Sequence, residues 1–234
     1  MEPLRDNPFF DLPQYPVMLQ LTGRSCVVIG GGVVATRKIN NLLEYGAEVT
    51  VVSPTLTTSL WRLVQAGTIT HLERHYTASD VQGALLVFAA TDEEGINEGI
   101  ATDANEAGAL VNVAHAPECS DFTNPGVLRH GQVQISVSTG GASPTLTRRV
   151  LNKLSQLVDD RLSDLAGHLM DARHQAQLQF ADTQTRHMLL RQFADACWTA
   201  WERDEPLPDW QQWQQAQTFD TPVSQEDNFE VKGI

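Results

Sequence analysis

The 234-residue sequence predicts an α/β fold built on a Rossmann-like, doubly wound parallel sheet. Three observations lead to this prediction. Short apolar runs recur between residues 26 and 114, helical patterns separate them, and glycines mark the ends of the elements. Strand, helix and strand in this alternation form right-handed crossovers, whose ligands bind at the carboxyl ends of the strands.

The first elements make a βαβ unit. Cys26–Ile29 is a short β-branched strand, residues 33–45 have helical spacing, and Gly46 ends that helix. The later predicted elements are a strand over 48–52, a helix over 55–66, a strand over 68–72, a strand over 84–90, a helix over 92–107 and a strand over 110–114.

The alternation of strands and helices breaks after His115. Residues 116–126 contain two prolines among mixed polar residues, and they predict no regular element. Residues 132–138 alternate between apolar and polar side chains, which is typical of a strand with one covered face. This strand is either half exposed or shared with a partner.

The carboxyl third is predicted to be helical. Ser143 and Pro144 have the chemistry of an N-cap and a first helical residue. From there an apolar stripe runs to Leu169, and the pattern continues through Phe193. The acidic residues 219–234 are expected to be a loose tail.

Composition and charge exclude several classes of function. Apolar residues make up 41% and charged residues 19%, as in ordinary globular proteins with a sizeable core. A net charge of −13 argues against nucleic acid or an anionic membrane surface as a partner. No apolar run approaches the roughly 18 residues that span a bilayer. Three widely spaced cysteines and the absence of a signal-peptide pattern lead us to expect a cytoplasmic protein.

One segment of this acidic chain is basic. Residues 122–158 contain no Asp or Glu but hold Arg129, Arg148, Arg149 and Lys153. Charge runs often do no more than face water. The alternative is a binding surface for a polyanionic small molecule.

The sharpest motif is the glycine turn that follows the first strand. Gly30, Gly32 and Ala35 match the G-x-G-x-x-A pattern, directly after a strand and at the start of a helix. Free backbone N–H groups and the helix dipole at such a turn bind a pyrophosphate, and glycine allows its close approach. A tight structural turn without a ligand is the competing interpretation.

The expected cofactor site gathers residues from three strand ends. They are Gly30, Gly31, Gly32, Val33, Val34, Ser53, Pro54, Thr55, Ala90, Thr91 and Asp92. The acidic residue that commonly binds the ribose at the end of the second strand is missing, because Ser53 follows Val52 there. This position therefore leaves the choice between NAD and NADP open.

Several further motifs occur in order along residues 15–155. They are Tyr15-Pro16-Val17-Met18-Leu19, the glycine turn followed by Val34-Ala35-Thr36-Arg37-Lys38, Ala89-Ala90-Thr91-Asp92, Asn112-Val113-Ala114, Cys119-Ser120-Asp121-Phe122 and Ser138-Thr139-Gly140-Gly141-Ala142-Ser143-Pro144. Together they resemble the amino-terminal module of siroheme synthases.

The resemblance implies NAD-dependent oxidation of precorrin-2 to sirohydrochlorin, with iron insertion to give siroheme in some members. It also implies a homodimer. The implied division is a Rossmann domain over 1–115, a dimerisation region with a substrate-side loop over 116–150, a small helical domain over 151–218, and the tail over 219–234. Residues 156–234 are too few for the methyltransferase module of the larger relatives.

The main departure from the family pattern is His115. It stands where the family's Asn-Val-x-Asp motif has the aspartate assigned to proton transfer. A neutral imidazole accepts a proton near neutral pH but lacks the negative charge that attracts a metal cation. We therefore expect a dehydrogenase with weak or absent iron insertion, and the sequence leaves open whether a separate chelatase acts as a partner in the next step.

Other interpretations of this position stay open. One alternative is that His115 is a loop residue without a catalytic role. Asp121 is then an alternative carboxylate for the proton transfer. For the chain as a whole, the alternatives are a bifunctional dehydrogenase and ferrochelatase, and a nonenzymatic module that binds a nucleotide or a tetrapyrrole. The remaining histidines fit no metal-ligand spacing, so no metal site is predicted.

The substrate side is expected in the loop before the long helix and in its first turns. The expected residues are Ser138, Thr139, Gly140, Gly141, Ser143, Arg148 and Arg149. Paired arginines suit the carboxylates of an anionic tetrapyrrole, because guanidinium binds carboxylate in a bidentate way. A capping serine followed by solvated arginines is the alternative.

Overall fold

The computed structural model describes residues 14–217. The chain folds into two compact units, which meet in sequence between Pro125 and Gly126. The tail expected over 219–234 lies outside the described residues, and the finer division into domains stays a prediction.

The first unit contains the predicted five-stranded parallel sheet. Its strands are β1 (Ser25–Ile29), β2 (Glu48–Val52), β3 (Thr70–Leu72), β4 (Leu86–Ala89) and β5 (Leu110–Val113). They are ordered β3-β2-β1-β4-β5, and every pair is parallel. The chain proceeds outward in one direction from β1 and then returns to its other side. The topological switch point, where ligands of such sheets bind, therefore lies between β1 and β4.

Helices cover both faces of this sheet. They are α1 (Val33–Glu44), α2 (Thr58–Gln65) and α3 (Glu94–Glu106), with short 3-10 helices at Ala78–Val81 and Pro117–Cys119. One apolar cluster joins α1 and α2 to one face, and a second joins α3 to the other. A sheet buried on both faces needs continuous apolar strands, which explains why the sequence shows runs rather than alternation.

The predicted helix over 55–66 was wrong at its start. Residues 53–57 form a loop instead, and α2 begins at Thr58. The Thr57 hydroxyl accepts a hydrogen bond from the Leu60 N–H at 3.3 Å and so caps the helix. The loop that precedes it forms part of the site at the carboxyl edge of the sheet.

The second unit begins with a hairpin and continues as helices. Its elements are β6 (Gly126–His130), β7 (Val133–Val137), α4 (Pro144–Leu154), α5 (Asp160–Gln179), α6 (Thr183–Glu202) and α7 (Trp210–Ala216). The two strands pair antiparallel, and β6 was not predicted. An apolar cluster around Leu165, Phe193 and Trp210 joins α5, α6 and α7.

The start of α4 confirms the capping prediction, whereas the single long stripe was wrong. The Ser143 hydroxyl accepts from the Leu146 N–H at 3.2 Å, and Pro144 is the first helical residue. Residues 155–159 interrupt the stripe, and the Asp159 carboxylate caps α5 through the Leu162 N–H at 2.9 Å. The apolar spacing continues across this break, which hid it from the sequence pattern.

Within residues 14–217, no helix is both long and apolar enough to cross a lipid bilayer. The same part of the chain contains no group of three His, Cys, Asp or Glu side chains arranged to hold a metal ion.

Candidate functional site

The three glycines after β1 have different surroundings. A Cβ on Gly30 would lie 2.2 Å from the Ala90 carbonyl oxygen, and the φ of Gly30 is +116°. A Cβ on Gly31 would lie 1.9 Å from the Thr55 carbonyl oxygen. A Cβ on Gly32 would meet nothing within 4 Å. The first two glycines allow close backbone packing, and the third leaves free space at the start of α1.

That free space has the properties of an anion site. α1 begins at Val33, and its N-cap is a glycine without a side chain. The first N–H groups of a helix have no partner within the helix, and the helix dipole places positive potential there. A pyrophosphate fits such a turn, and a side chain on Gly32 would compete with it.

A cavity of about 290 Å³ opens at the carboxyl ends of the strands. Four of the predicted cofactor residues line it, namely Gly30, Ser53, Pro54 and Thr91. The size is near the lower limit of pockets that take small molecules, about 300 Å³. The lining residues that sequence reasoning missed include His75, Tyr76, Glu93, Ile96, Gly99 and Asp103.

The other predicted cofactor residues do not line this cavity. They are Gly31, Gly32, Val33, Val34, Thr55, Ala90 and Asp92. The backbones of Thr55 and Ala90 pack against the glycine turn, whereas Val33 and Asp92 are exposed.

Asn97, which the sequence did not single out, holds the loop after β4. Its side chain is buried and accepts from the Thr91 N–H at 3.2 Å and the Thr91 hydroxyl at 2.8 Å. Its Nδ2 donates to the Thr91 carbonyl oxygen at 3.0 Å. Thr91 is thereby fixed at the cavity wall.

Ser53, at the end of β2, does not replace the missing ribose carboxylate. The residue is buried, and its hydroxyl donates to the Thr55 carbonyl oxygen at 2.8 Å. His71 Nε2 lies 2.9 Å from the Ser53 carbonyl oxygen. The hydroxyl and carbonyl groups of Ser53 therefore both hold the loop that packs on Gly31.

His115 lies just beyond β5, at the same edge of the sheet. It is exposed and has a φ of 66°, in the left-handed region. Histidine and aspartate are among the residues that tolerate this conformation best, so the backbone suits both this chain's residue and the family's. Ser120 closes the loop, because its hydroxyl accepts from the Val113 N–H at 2.9 Å and donates to the Ala116 carbonyl oxygen at 3.1 Å.

Asp121, the alternative carboxylate, has a structural partner. Its Oδ2 accepts from the Val111 N–H at 2.8 Å, and its own N–H donates to the Val111 carbonyl oxygen at 2.9 Å. Residue 121 thus pairs with the interior of β5 and not with its carboxyl end. The geometry favours His115 over Asp121 as the group at the site.

Lys38, on α1, belongs to one of the motifs that carry the family resemblance, but the sequence assigned it no role. Its Nζ donates to Asn112 Oδ1 at 2.9 Å and lies 5.1 Å from the centre of the Phe88 ring. Asn112 Nδ2 in turn donates to the Phe122 carbonyl oxygen at 2.9 Å. Burial, and then the neighbouring Arg37 charge, lowers the pKa of Lys38 to about 8. These bonds connect the cofactor helix to the segment that carries His115.

In the second unit, the predicted substrate loop is closed by its own hydroxyl groups. Thr139 Oγ1 lies 3.0 Å from Thr147 Oγ1, and the Gly140 N–H donates to Ser138 Oγ at 3.3 Å. Ser143 is engaged as the N-cap of α4. A Cβ on Gly140 would meet nothing within 4 Å, so the tip of the loop is open.

Arg148 and Arg149 follow this loop on α4. Both are exposed, and neither guanidinium forms an ion pair with a residue in the described range 14–217. Their charges are therefore free to bind an anion.

The sheet order, the glycine turn and the carboxyl-edge cavity define a nucleotide-binding protein of the Rossmann-like class. Residues 17–126 match the family model described as "Putative NAD(P)-binding", and residues 131–157 match the model "Sirohaem biosynthesis protein central". Together the two matches span more than half of the chain. The chain belongs to the family of siroheme synthase amino-terminal modules.

Individual relatives agree with this assignment. The siroheme synthase of Thioalkalivibrio sulfidiphilus (strain HL-EbGR7) is 36% identical over 172 residues, which cover 74% of this chain and 35% of the relative. That of Stutzerimonas stutzeri (strain A1501) is 35% identical over 173 residues, covering 74% and 37%. The chain thus spans about a third of the length of these relatives.

A solved structure titled "SirC, precorrin-2 dehydrogenase" is also similar. Its TM-score is 0.70 at 28% sequence identity. The match covers 87% of this chain and 98% of that one, so both units of the fold are represented.

Proposed function

We propose that this chain catalyses the NAD-dependent dehydrogenation of precorrin-2 to sirohydrochlorin. The observation that carries the proposal is the placement, at one edge of the sheet, of a glycine turn with free space, a cavity and an exposed histidine. The likeness to SirC over nearly its full length supports the choice of substrate.

The residues at the carboxyl edge fit a dinucleotide. Gly32 and the first N–H groups of α1 would hold the pyrophosphate, and the cavity beside Gly30 and Thr91 would hold one nucleoside half. Bound NAD supplies the acceptor of the hydride. Asn97 and the Ser53 loop keep the walls of this site in place before binding.

His115 is proposed as the proton acceptor. The substrate loses a hydride from a ring-bridging carbon and a proton from a pyrrolic N–H, so a base must take that proton. The imidazole is exposed at the carboxyl end of β5, next to the strand whose end lines the cavity. General-base help of this kind contributes about 10² to 10⁴ in rate.

Residues of the second unit are proposed to bind the carboxylates of the tetrapyrrole. The open tip at Gly140, with Ser138, Thr139 and Gly141 beside it, leaves room for a carboxylate, and the Ser138 hydroxyl that accepts from the Gly140 N–H still has its own hydrogen to donate. Arg148 and Arg149 add two positive charges that no described acid neutralises.

We also propose a homodimer. Within the described chain the β6–β7 sheet has only two strands, and two-stranded sheets are rarely stable alone. Leu146 on α4 and Leu157 just after it are 48% and 65% exposed. A symmetric interface would bury these groups, and a monomer in light scattering at micromolar concentration would contradict it.

Iron insertion is proposed to be weak, with a separate chelatase acting next. Imidazole at position 115 removes a proton but supplies no negative charge for a dication. The proposal places these steps in the cytoplasm, in keeping with three free cysteines.

The reaction is tested by mixing the protein anaerobically with precorrin-2 and NAD. The proposal expects sirohydrochlorin and NADH in equal amounts. Absence of turnover while NAD still binds would favour the nonenzymatic carrier. Iron insertion into sirohydrochlorin much faster than a protein-free control would favour the bifunctional alternative.

A further inference from the structure

We infer that Asp103, held by Tyr76, selects NAD over NADP by placing a negative charge in the groove for the adenosine half of the cofactor. This inference rests on the proposed function. It concerns the feature that the sequence left open, since Ser53 stands where a ribose-binding acid is usual.

The cavity extends from the edge of the sheet along one side of α3. Ile96, Gly99 and Asp103 lie three and four residues apart and therefore share one face of that helix. A Cβ on Gly99 would meet nothing within 4 Å, so the groove stays open along the helix. The groove is also lined by Ser53 and Pro54 at the end of β2, where proteins of this fold bind the ribose of the adenosine half, so it suits that half of the cofactor.

Tyr76 and Asp103 form a hydrogen-bonded pair in this groove. Tyr76 Oη donates to Asp103 Oδ2 at 2.8 Å. Burial, and then the bond to Asp103, raises the pKa of Tyr76, so the phenol remains a donor. Asp103 Oδ1 has no hydrogen-bond partner among the described residues and is free to accept from a ribose hydroxyl.

The charges around the groove disfavour an added phosphate. NADP carries a phosphate on the 2′ oxygen of the adenosine ribose, and proteins usually bind it with arginine. Among the described residues that line the cavity, none is lysine or arginine. Glu93 and Asp103 are acids, and His75 has the only basic side chain in this lining.

Arg74, in the loop before His75, does not supply the missing charge. Its Nη1 donates to Asp80 Oδ2 at 2.7 Å, and its Nη2 donates to Asp80 Oδ1 at 2.5 Å. This bidentate pair also lowers the pKa of Asp80, which keeps the carboxylate ionised and the guanidinium occupied. A 2′-phosphate would therefore meet two anions without a free guanidinium, which is a repulsive form of selectivity.

The test measures the dissociation constants of NAD and NADP for the full chain by isothermal titration calorimetry. We expect the protein to bind NAD at least about tenfold more tightly than NADP. Asp103→Asn keeps an oxygen for Tyr76 but removes the charge, so it should lower the ratio of NAD affinity to NADP affinity at least about fivefold. Glu98→Gln is the matched control, because it removes the same charge from α3 outside the cavity.

Equal affinity of the unmodified protein for NAD and NADP would overturn the inference and leave the proposed function standing. An equal change of the ratio in Glu98→Gln would also overturn it, because the effect would then be general charge. If neither dinucleotide binds, the proposed function fails and the inference fails with it. Should Asp103→Asn not fold, exposed Glu93→Gln provides the same test, with an expected shift of about twofold.

Discussion

The two units differ in how firmly the rest of the protein holds the residues that are proposed to bind ligands. In the first unit, the loops at the carboxyl edge are held by side chains such as Asn97 and Ser120, and α1 buries Ala35, Ile39 and Leu42. In the second unit, no residue of α4 is buried, and Arg148 and Arg149 face solvent. The first unit is thus a preformed site, whereas the second presents groups that a ligand or a partner would engage.

Gly30→Ala is the substitution that we expect to disrupt the preformed site most. The new Cβ would lie 2.2 Å from the Ala90 carbonyl oxygen, and the φ of +116° is strained for any residue with a side chain. We expect a loss of about 3 kcal/mol or more in the free energy of unfolding, together with loss of NAD binding. Thermal or urea unfolding and calorimetric titration measure the two effects.

Gly32→Ala is the matched control for that substitution. Its Cβ would enter open space at an ordinary φ of −82°, so we expect a nearly unchanged unfolding midpoint and a weaker affinity for NAD. Unchanged NAD affinity in this variant would argue that the open space is not a pyrophosphate site.

The arginines of the second unit should affect substrate binding and little else. Changing both Arg148 and Arg149 to Gln is expected to raise the KM for precorrin-2 about tenfold, because two guanidinium–carboxylate contacts are lost, with kcat changed less than about twofold. Steady-state kinetics at saturating NAD check this. Arg173→Gln, an exposed arginine on α5, is the control, and an equal effect there would show that only net charge matters.

The smallest expected effect is the pH dependence contributed by Lys38. Its pKa is about 8 in the folded protein against an ordinary value of 10.5, so between these values the unfolded chain binds more protons. The free energy of unfolding should therefore gain a positive slope from about pH 8 to about pH 10.5, and Lys38→Met should lose that slope. Denaturant titrations across this range measure it, with exposed Lys153→Met as control. An identical slope in Lys38→Met would contradict the account.

The strands of the first unit could be predicted because most of their residues are buried and because β2 to β5 each begin two or three residues after a glycine, at Gly46, Gly67, Gly83 and Gly108. β6 could not, because its sequence Gly-Val-Leu-Arg-His is half polar and one of its faces is covered by α4, where Gly126 packs against Thr147 and Leu151. The short turn at Gly131, which has a φ of 53°, is the signal that could have indicated a hairpin.

The site was predictable only where its residues are local in sequence. The glycine turn and Ser53 follow strand ends, so position along the chain was enough to find them. Tyr76 and Asp103 are 27 residues apart, and Lys38 and Asn112 are 74 apart. Pairs of this kind depend on how helices pack on the sheet, which local periodicity does not encode.

The central claim is that His115 supplies the base in an NAD-dependent dehydrogenation, and an anaerobic single-turnover rate tests it most directly. The rate should be measured for the unmodified protein, His115→Ala, His115→Asp and, as a control, exposed His174→Ala. We predict that the rate falls by a factor of about 10² to 10⁴ in His115→Ala, stays within about tenfold of the unmodified protein in His115→Asp, and does not change in His174→Ala. A His115→Ala protein that converts precorrin-2 as fast as the unmodified protein would contradict the claim.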